Sequence, residues 1–121
     1  MKTHEFLETY PNAVQIITKH YVKVMQDSMS DDLPDNFKDY IEQRGFSIDE
    51  LSNLIDANPR ALIDVFDEND VHACLEMTFI DGKPQFGINI DGAVSEEKFA
   101  NRKEAEKEMV LECIAFLEDK A

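Results

Sequence analysis

The spacing of the apolar residues changes once along this chain, immediately after Asp70. Before that position apolar side chains recur at three- and four-residue steps, as at Ile17 and Tyr21, which is the period of an amphipathic helix. After it, apolar and polar residues alternate over 71–79, which is the period of a strand with one buried face. Helices followed by a sheet define an α+β protein, and 121 residues are the usual length of a single domain, here 1–121.

Prolines and a glycine bound the first two predicted helices. The N-terminal part, 1–29, holds a helix that starts at Pro11, because proline is favoured in the first turn. A second helix covers 34–44 and ends at Gly45, since glycine readily adopts the left-handed conformation that terminates a helix. The residues of this helix that are predicted to face inward are Phe37, Tyr40 and Ile41.

Two further helices are predicted within the part 34–68 from their capping residues. Ser47 and Glu50 have the spacing of a capping box, in which each side chain bonds the backbone N–H of the other residue. Asn58 is predicted to cap the next helix, with Pro59 as its first residue. The two helices are therefore expected to meet in a tight corner.

The part 71–121 contains the signals of an antiparallel sheet and a closing helix. Asp-Gly pairs at 81–82 and 91–92 are typical of hairpin turns, so a second strand returns and a poorer third strand follows near 93–98. Asn101 is placed to cap the last helix. We thus expect four N-terminal helices, an antiparallel sheet of two or three strands and a C-terminal helix. The predicted apolar arc of that last helix is Ala105, Met109, Val110, Cys113, Phe116 and Leu117.

Acidic residues are concentrated in the middle of the chain. The net charge is −14, and residues 27–70 hold thirteen acidic side chains against three basic ones, a local net charge of −10. Such a surface repels phosphates and attracts basic partners within a Debye length of ~8–10 Å. The residues predicted to bind the partner are Asp35, Asp39, Asp49, Glu50, Asp56, Arg60, Asp64, Asp67 and Asp70.

Reactive side chains do not form a pattern typical of an enzyme or a metal centre. Two cysteines are too few for a disulfide scaffold, and His72 with Cys74 supplies too few ligands for zinc. The sequence has no phosphate-binding glycine loop and no nucleophile elbow. We therefore expect no catalytic, cofactor or metal site. Without a signal peptide or a membrane-spanning run, the chain is expected to be soluble and cytoplasmic, with no membrane contact.

The segment 46–68, FSIDELSNLIDANPRALIDVFDE, resembles the helix-turn-helix of DNA-binding regulators. In that family the first helix needs a small residue at the crossing, and Ser52 stands there. Leu62 and Val65 match the apolar positions that anchor the second helix. The resemblance implies a tri-helical corner whose second helix faces a partner.

Neighbouring residues extend this resemblance to winged-helix domains. The helix 34–44 would support the corner, and a hairpin over 71–90 would form the wing. The resemblance implies DNA binding through Arg60 and the wing turn at Lys83. Affinity for DNA depends mainly on lysine and arginine contacts to phosphates, and the outward face of the second helix is more acidic than basic. Direct DNA binding is therefore not expected.

The hairpin and the start of the last helix are also similar to the three-stranded, one-helix modules of phage and integrative-element proteins, such as arm-type DNA-binding domains. Here the predicted outer face of the sheet is nearly uncharged, which favours protein binding or self-association. The residues of that face are His72, Cys74, Glu76, Thr78, Gln85 and Asn89.

These observations favour a small, acidic, non-enzymatic module that binds a basic protein surface. The most specific version of this hypothesis is a DNA mimic of the kind that mobile elements encode. Such a protein inhibits a nucleic-acid-binding protein. The alternatives are a winged-helix transcriptional regulator and an uncharacterised enzyme or metal-binding protein. A homodimer formed by the last helix or by the edge of the third strand is a further expectation.

Overall fold

The computed structural model describes residues 2–28 and 35–120, and its architecture is α+β, as predicted. Helices come first, and a three-stranded antiparallel sheet and a long helix follow. Residue 29, the predicted end of the first helix, and Pro34 lie outside the described residues. The helical elements are α1 (Thr3–Glu8), α2 (Pro11–Asp27), α3 (Asp35–Arg44), α4 (Ile48–Ala57), a 3₁₀ turn (Pro59–Leu62), α5 (Ile63–Glu68) and α6 (Arg102–Lys120).

The N-terminal part contains two helices, α1 and α2. The backbone leaves the helical conformation at Tyr10, because a proline disfavours that conformation in the residue before it. Pro11 then begins α2, as predicted. The backbone N–H of Ala13, in the first turn of α2, donates to Oε2 of Glu118 in α6 at 2.6 Å. A side chain near the end of the chain thus satisfies one of the free donors at the start of α2.

The predicted start of α4 is confirmed in detail. Gly45 has the left-handed conformation that ends α3, with φ of +67°. The backbone N–H of Glu50 donates to Oγ of Ser47 at 3.1 Å, and the N–H of Ser47 donates to Oε1 of Glu50 at 3.4 Å. Both halves of the capping box are therefore present.

The corner after α4 differs from its prediction. Asn58 stands at the N-cap position, with φ of −152° and ψ of 78°, and Pro59 is the first residue of the next element, as predicted, but the side chain of Asn58 makes no capping hydrogen bond. Its carbonyl instead accepts from the N–H of Ala61, which tightens 59–62 into a 3₁₀ turn. The predicted fourth helix is thus divided into this turn and the short helix α5.

The sheet has the order β1-β2-β3, and all its pairs are antiparallel. Both predicted hairpin turns are present, since φ is 53° and 77° at 81–82 and 52° and 91° at 91–92. Two successive positive φ values define the turn that suits the twist of a hairpin. The third strand is confirmed. The strands are β1 (Ala73–Ile80), β2 (Lys83–Ile90) and β3 (Ala93–Phe99).

Helix α6 lies between the sheet and the N-terminal helices, and it contacts all three strands as well as α2 and α4. The N-cap predicted at Asn101 is confirmed, because its Oδ1 accepts from the N–H of Glu104 at 3.2 Å. Phe116 is 46% exposed, so its place in the predicted apolar arc was wrong, and Ile114 is buried instead. The buried residues of α6 are Ala105, Glu106, Met109, Val110, Cys113, Ile114 and Leu117.

Some residues predicted to be buried are exposed because the helices do not reach them. Ala73 and Leu75 pack against the core, but Met77 and Phe79 farther along β1 are 50% and 66% exposed. The β1–β2 hairpin therefore extends beyond the helical layer. Two residues of α3 that were predicted to face inward, Phe37 and Tyr40, are also exposed.

Candidate acidic binding surface

Helix α4 places Asp49 and Asp56 on one face, since they lie seven residues apart. This face holds α1. Oδ1 of Asp49 lies 2.7 Å from Nδ1 of His4, and Oγ1 of Thr3 donates to Oδ1 of Asp56 at 2.7 Å. Lys107 of α6 places its Nζ 2.9 Å from the same Asp56 oxygen. These two carboxylates thus make contacts within the fold.

The environment of Asp56 favours its charged form. The hydrogen bonds from Thr3 and Lys107 hold the pKa of this carboxyl below its ordinary value, and they outweigh the opposing effect of partial burial. A hydrogen bond from Arg44 and one from the backbone of Ser47 likewise lower the pKa of Glu50. Asp56 and Glu50 therefore stabilise the fold as carboxylates.

Arg60, the only cation in the predicted partner-binding set, is bound to α6. Its Nε donates to Oε1 of Glu106 at 2.7 Å, and the side chain of Glu106 is only 10% exposed. The hydrogen bond and the charge of Glu106 raise the pKa of Arg60 above its ordinary value. A carboxylate in so buried a position needs such a counter-ion. The guanidinium of Arg60, whose side chain is 61% exposed, thus covers and neutralises a buried carboxylate of α6.

Carboxylates from two distant segments converge at the C-terminal end of α5. Oδ1 of Asp67 lies 3.0 Å from Nδ1 of His72, and the backbone N–H of His72 donates to Oδ1 of Asp91 at 3.0 Å. Asp64 precedes Asp67 by three residues and so shares its helix face. Asp91, which belongs to the β2–β3 turn, was not in the predicted set.

Five exposed carboxylates thus surround α5, and we call them the α5 acidic surface: Asp64, Asp67, Glu68, Asp70 and Asp91. His20 of α2 approaches this surface, with its Nδ1 3.1 Å from Oε2 of Glu68. Lys120 donates to the carbonyl of Asp70 at 2.7 Å, and Asp70 has a positive φ of 60°. One lysine and two histidines are therefore the basic groups that the described contacts place against five carboxylates.

The predicted residues separate into two groups. Asp64, Asp67 and Asp70 belong to the α5 acidic surface, whereas Asp49, Glu50, Asp56 and Arg60 bond other parts of the fold. Asp39 is exposed on α3, and Asp35 is the first residue of that helix. Sequence reasoning missed Asp91, whose contact with His72 depends on the sheet register. It also missed Glu106, although a charged residue beside the buried positions 105 and 109 is a signal of a buried ion pair.

Two nearby polar groups are held in their neutral forms. Burial, together with the smaller effects of the charges of Glu112, Asp91 and Asp67, raises the pKa of Cys113 to about 12. Burial and then the charge of Asp64 raise the pKa of Tyr21, whose hydroxyl donates to the carbonyl of Ala61 at 2.6 Å. Neither group is suited to act as a nucleophile near neutral pH.

Within residues 2–28 and 35–120, no three histidine, cysteine, aspartate or glutamate side chains are arranged to hold a metal ion. No described helix combines the length and apolar character needed to cross a bilayer. Neither a scan against protein-family models nor searches of curated proteins and of solved structures gave a match.

Proposed function

We propose that this protein is a protein-binding module whose α5 acidic surface docks on a basic surface of another protein. The observation that carries the proposal is the convergence of Asp67 and Asp91 on His72, which joins α5 to the β2–β3 turn. Helix α5 and strand β2, which leads into the β2–β3 turn, both pack on the core, so the carboxylates of α5 and of this turn have fixed relative positions. Complementary charge of this kind accelerates association and selects among partners.

The partner that fits this surface best is one that ordinarily binds phosphates. Side chains three or four residues apart on a helix have Cβ atoms about 5–6 Å apart, so Asp64, Asp67 and Glu68 form a compact row of negative charge. A surface rich in lysine and arginine that contacts a nucleic-acid backbone can engage such a row instead. The protein would then act as a DNA mimic that inhibits a nucleic-acid-binding protein.

The winged-helix alternative draws less support from the side-chain contacts. It relies on Arg60, and this guanidinium bonds Glu106 at 2.7 Å. The residues exposed on α5, the counterpart of the recognition helix, include Asp64, Asp67 and Glu68. An acidic helix face repels a duplex.

The test is affinity capture from a lysate of expressing cells, with the eluted proteins identified by mass spectrometry. The test variant is Asp64→Asn, Asp67→Asn and Asp70→Asn together, since asparagine also tolerates the positive φ at residue 70. The matched control neutralises three exposed glutamates elsewhere, Glu5→Gln, Glu96→Gln and Glu104→Gln.

We expect the wild type and the control variant to capture basic nucleic-acid-binding proteins, and the test variant to lose them. Added duplex DNA and raised salt should both release the captured partner, because they compete for or screen the same charges. Partners that are not basic, or equal capture by both variants, would contradict the proposal. A mobility shift with DNA alone that disappears in Arg60→Ala, with circular dichroism showing that this variant is folded, would favour the winged-helix alternative.

A further inference from the structure

Strand β1 is an edge of the sheet, and half of its backbone groups point away from β2. Ile80 and Lys83 close a two-residue hairpin, and such a closing pair exchanges its backbone bonds. At the other end the N–H of Asp91 donates to the carbonyl of His72 at 2.8 Å. The even-numbered residues of β1 therefore bond β2. The residues whose N–H and carbonyl groups face outward are Ala73, Leu75, Met77 and Phe79.

A contact in the middle of the sheet agrees with this alternation. The N–H of Ile88 donates to Oγ of Ser95 in β3 at 3.1 Å, so it points away from β1. Ile88 lies opposite Leu75, and that pair therefore does not exchange backbone bonds. The N–H and carbonyl of Leu75 are consequently directed to the free edge.

The side chains along this edge are mostly apolar. Met77, Phe79 and Ile80 are each at least half exposed, and Glu76 is the only charged residue of β1. Its Oε1 accepts a hydrogen bond from the amide of Asn89 at 2.8 Å, within the sheet. Edge strands of monomers are commonly protected by lysine, proline or a bulge. The described β1 has none of these, and its pairing with β2 is regular over all eight residues.

We propose that two copies of this chain associate through β1, antiparallel, with Met77 opposite Met77 of the second copy. The two three-stranded sheets then form one sheet of six strands. Leu75 faces Phe79 of the second copy, and all outward backbone groups of 75, 77 and 79 find partners. This edge differs from the two dimer interfaces expected from the sequence, the last helix and the third strand.

The side chains select this register over its neighbours. Here Glu76 faces Thr78 of the second copy, which is uncharged. In the adjacent register Glu76 would face Glu76 of the second copy, and like charges directly opposite destabilise a strand pair. The next register, with Leu75 opposite Leu75, leaves Phe79 beyond the paired strands. In the register shifted the other way, with Thr78 opposite Thr78, Leu75 would face Asp81 of the hairpin turn. The proposed register is therefore the one that pairs Leu75, Met77 and Phe79 with one another and opposes no two carboxylates.

The same arrangement places an aromatic side chain over an existing groove. A groove of about 370 Å³ lies beside the inner face of β1, where Ile63, Leu75 and Met77 form part of its wall. Side chains directly opposite each other in an antiparallel pair lie on the same face, so Phe79 of the second copy, which is opposite Leu75, lies on the side of this groove. By two-fold symmetry each copy covers the groove of the other.

The α5 acidic surfaces of the two copies are too far apart in this dimer to repel each other strongly. In the antiparallel pair the two Ala73 residues lie eight positions apart along the strands, about 26 Å at ~3.3 Å per residue. The α5 acidic surface is next to this end of β1, through Asp67 and His72. The two acidic surfaces are thus separated by more than a Debye length of ~8–10 Å.

A cysteine cross-link tests the register with the intact chain. Cys74 is exposed, and in the proposed pair it faces Ile80 of the second copy without exchanging backbone bonds. Such pairs have Cα atoms about 4.5 Å apart, within the range that a disulfide spans. Ile80→Cys should therefore yield a disulfide-linked dimer under mild oxidation. The matched control Phe79→Cys should yield little, because residue 79 points to the opposite face from Cys74.

A proline variant tests the edge itself. Met77→Pro removes an N–H that faces outward, so it leaves the β1–β2 bonds intact while blocking the new pair. By light scattering, we expect the wild type to have twice the mass of one chain and Met77→Pro to have the mass of one chain. Circular dichroism then checks that the variant is folded. Phe79→Lys should have the same effect and provides a second variant if the proline unfolds the hairpin.

Three outcomes would overturn the proposal. They are a wild type that stays monomeric up to millimolar concentration, a dimer that persists in folded Met77→Pro or Phe79→Lys, and equal cross-linking of Ile80→Cys and Phe79→Cys. The second outcome would assign the dimer to α6 or β3. Because the α5 acidic surface is not used in this contact, failure of the dimer leaves the proposed binding function unaffected.

Discussion

Nε of Arg60 donates to Oε1 of Glu106 at 2.7 Å, and this ion pair joins the turn after α4 to a buried carboxylate of α6. The two residues come from elements that pack on each other. The pair therefore fixes the corner that resembles a helix-turn-helix onto the C-terminal helix. It also explains why an arginine occurs in so acidic a part of the chain.

Removing the cation of this pair should destabilise the protein. Arg60→Ala leaves Glu106 buried without its counter-ion, so we expect a lower Tm in a thermal melt. The double variant Arg60→Met with Glu106→Leu should recover most of the loss, because apolar residues need no counter-ion. Lys103→Ala, which removes a nearby exposed cation, is the control and should leave Tm almost unchanged. An unchanged Tm in Arg60→Ala would refute a stabilising role for the pair.

The capping box of α4 should contribute measurably to stability. Ser47→Ala removes the acceptor of the Glu50 N–H, and the loss of an N-cap typically costs about 1 kcal/mol. We expect this decrease in the free energy of unfolding by urea. Asn53→Ala, at an exposed position in the middle of α4, is the control and should cause no loss, because alanine favours helix. Equal stability of Ser47→Ala and wild type would contradict the role of the cap.

The contacts of Asp56 predict a loss of stability in acid. Its pKa is lower in the folded protein than in the unfolded chain, so the unfolded chain binds the proton more readily. The stabilisation is present above the ordinary aspartate pKa of about 4 and is lost as the pH falls through the folded value. Asp56→Asn should therefore show a smaller decrease in unfolding free energy than wild type between pH 6 and pH 2.

A second variant isolates the hydrogen bond of Thr3 from the charge of Lys107. Thr3→Val removes the donor to Asp56 while keeping the shape of this buried side chain. Its acid sensitivity should lie between those of wild type and Asp56→Asn. If urea unfolding gives the same pH dependence for all three proteins, Asp56 does not contribute to the acid response.

The two cysteines should differ sharply in their reaction with a thiol reagent. Cys74 is exposed, whereas Cys113 is fully buried and its pKa is raised to about 12. At pH 8 a disulfide reagent should modify one thiol per chain rapidly and the second only after unfolding, since the thiolate is the reactive form. Cys74→Ala should abolish the fast phase and Cys113→Ala should retain it. Two fast thiols in wild type would show that Cys113 is accessible.

Elements with a strong local signal could be predicted from the sequence. The capping box at Ser47 and Glu50, the left-handed Gly45 and the two Asp-Gly turns all depend on residues within one turn of each other. The strand that follows residue 71 and the α+β order were likewise predicted correctly. Local backbone preferences and cap geometry operate within a few residues, so the sequence displays them directly.

Features that depend on the neighbouring layer could not be predicted in this way. Period-two spacing identified one face of β1, but it does not say where the covering helices end, so Met77 and Phe79 were assigned to the core. The burial of Ile114 and the exposure of Phe116 follow from the orientation of α6 between two layers. Likewise, the sheet register and not the local sequence brings Asp91 to His72, which also contacts Asp67.

The hydrogen bond from Ala13 to Glu118 spans 105 positions of the chain, and it has a consequence for synthesis on the ribosome. The first turn of α2 stays uncapped, and the apolar faces of the early helices stay uncovered, until α6 has left the exit tunnel. Contacts of such long range form only after both segments have been synthesised. The nascent chain is therefore expected to reach this arrangement only after α6 has emerged, with helices and sheet closing together around that helix.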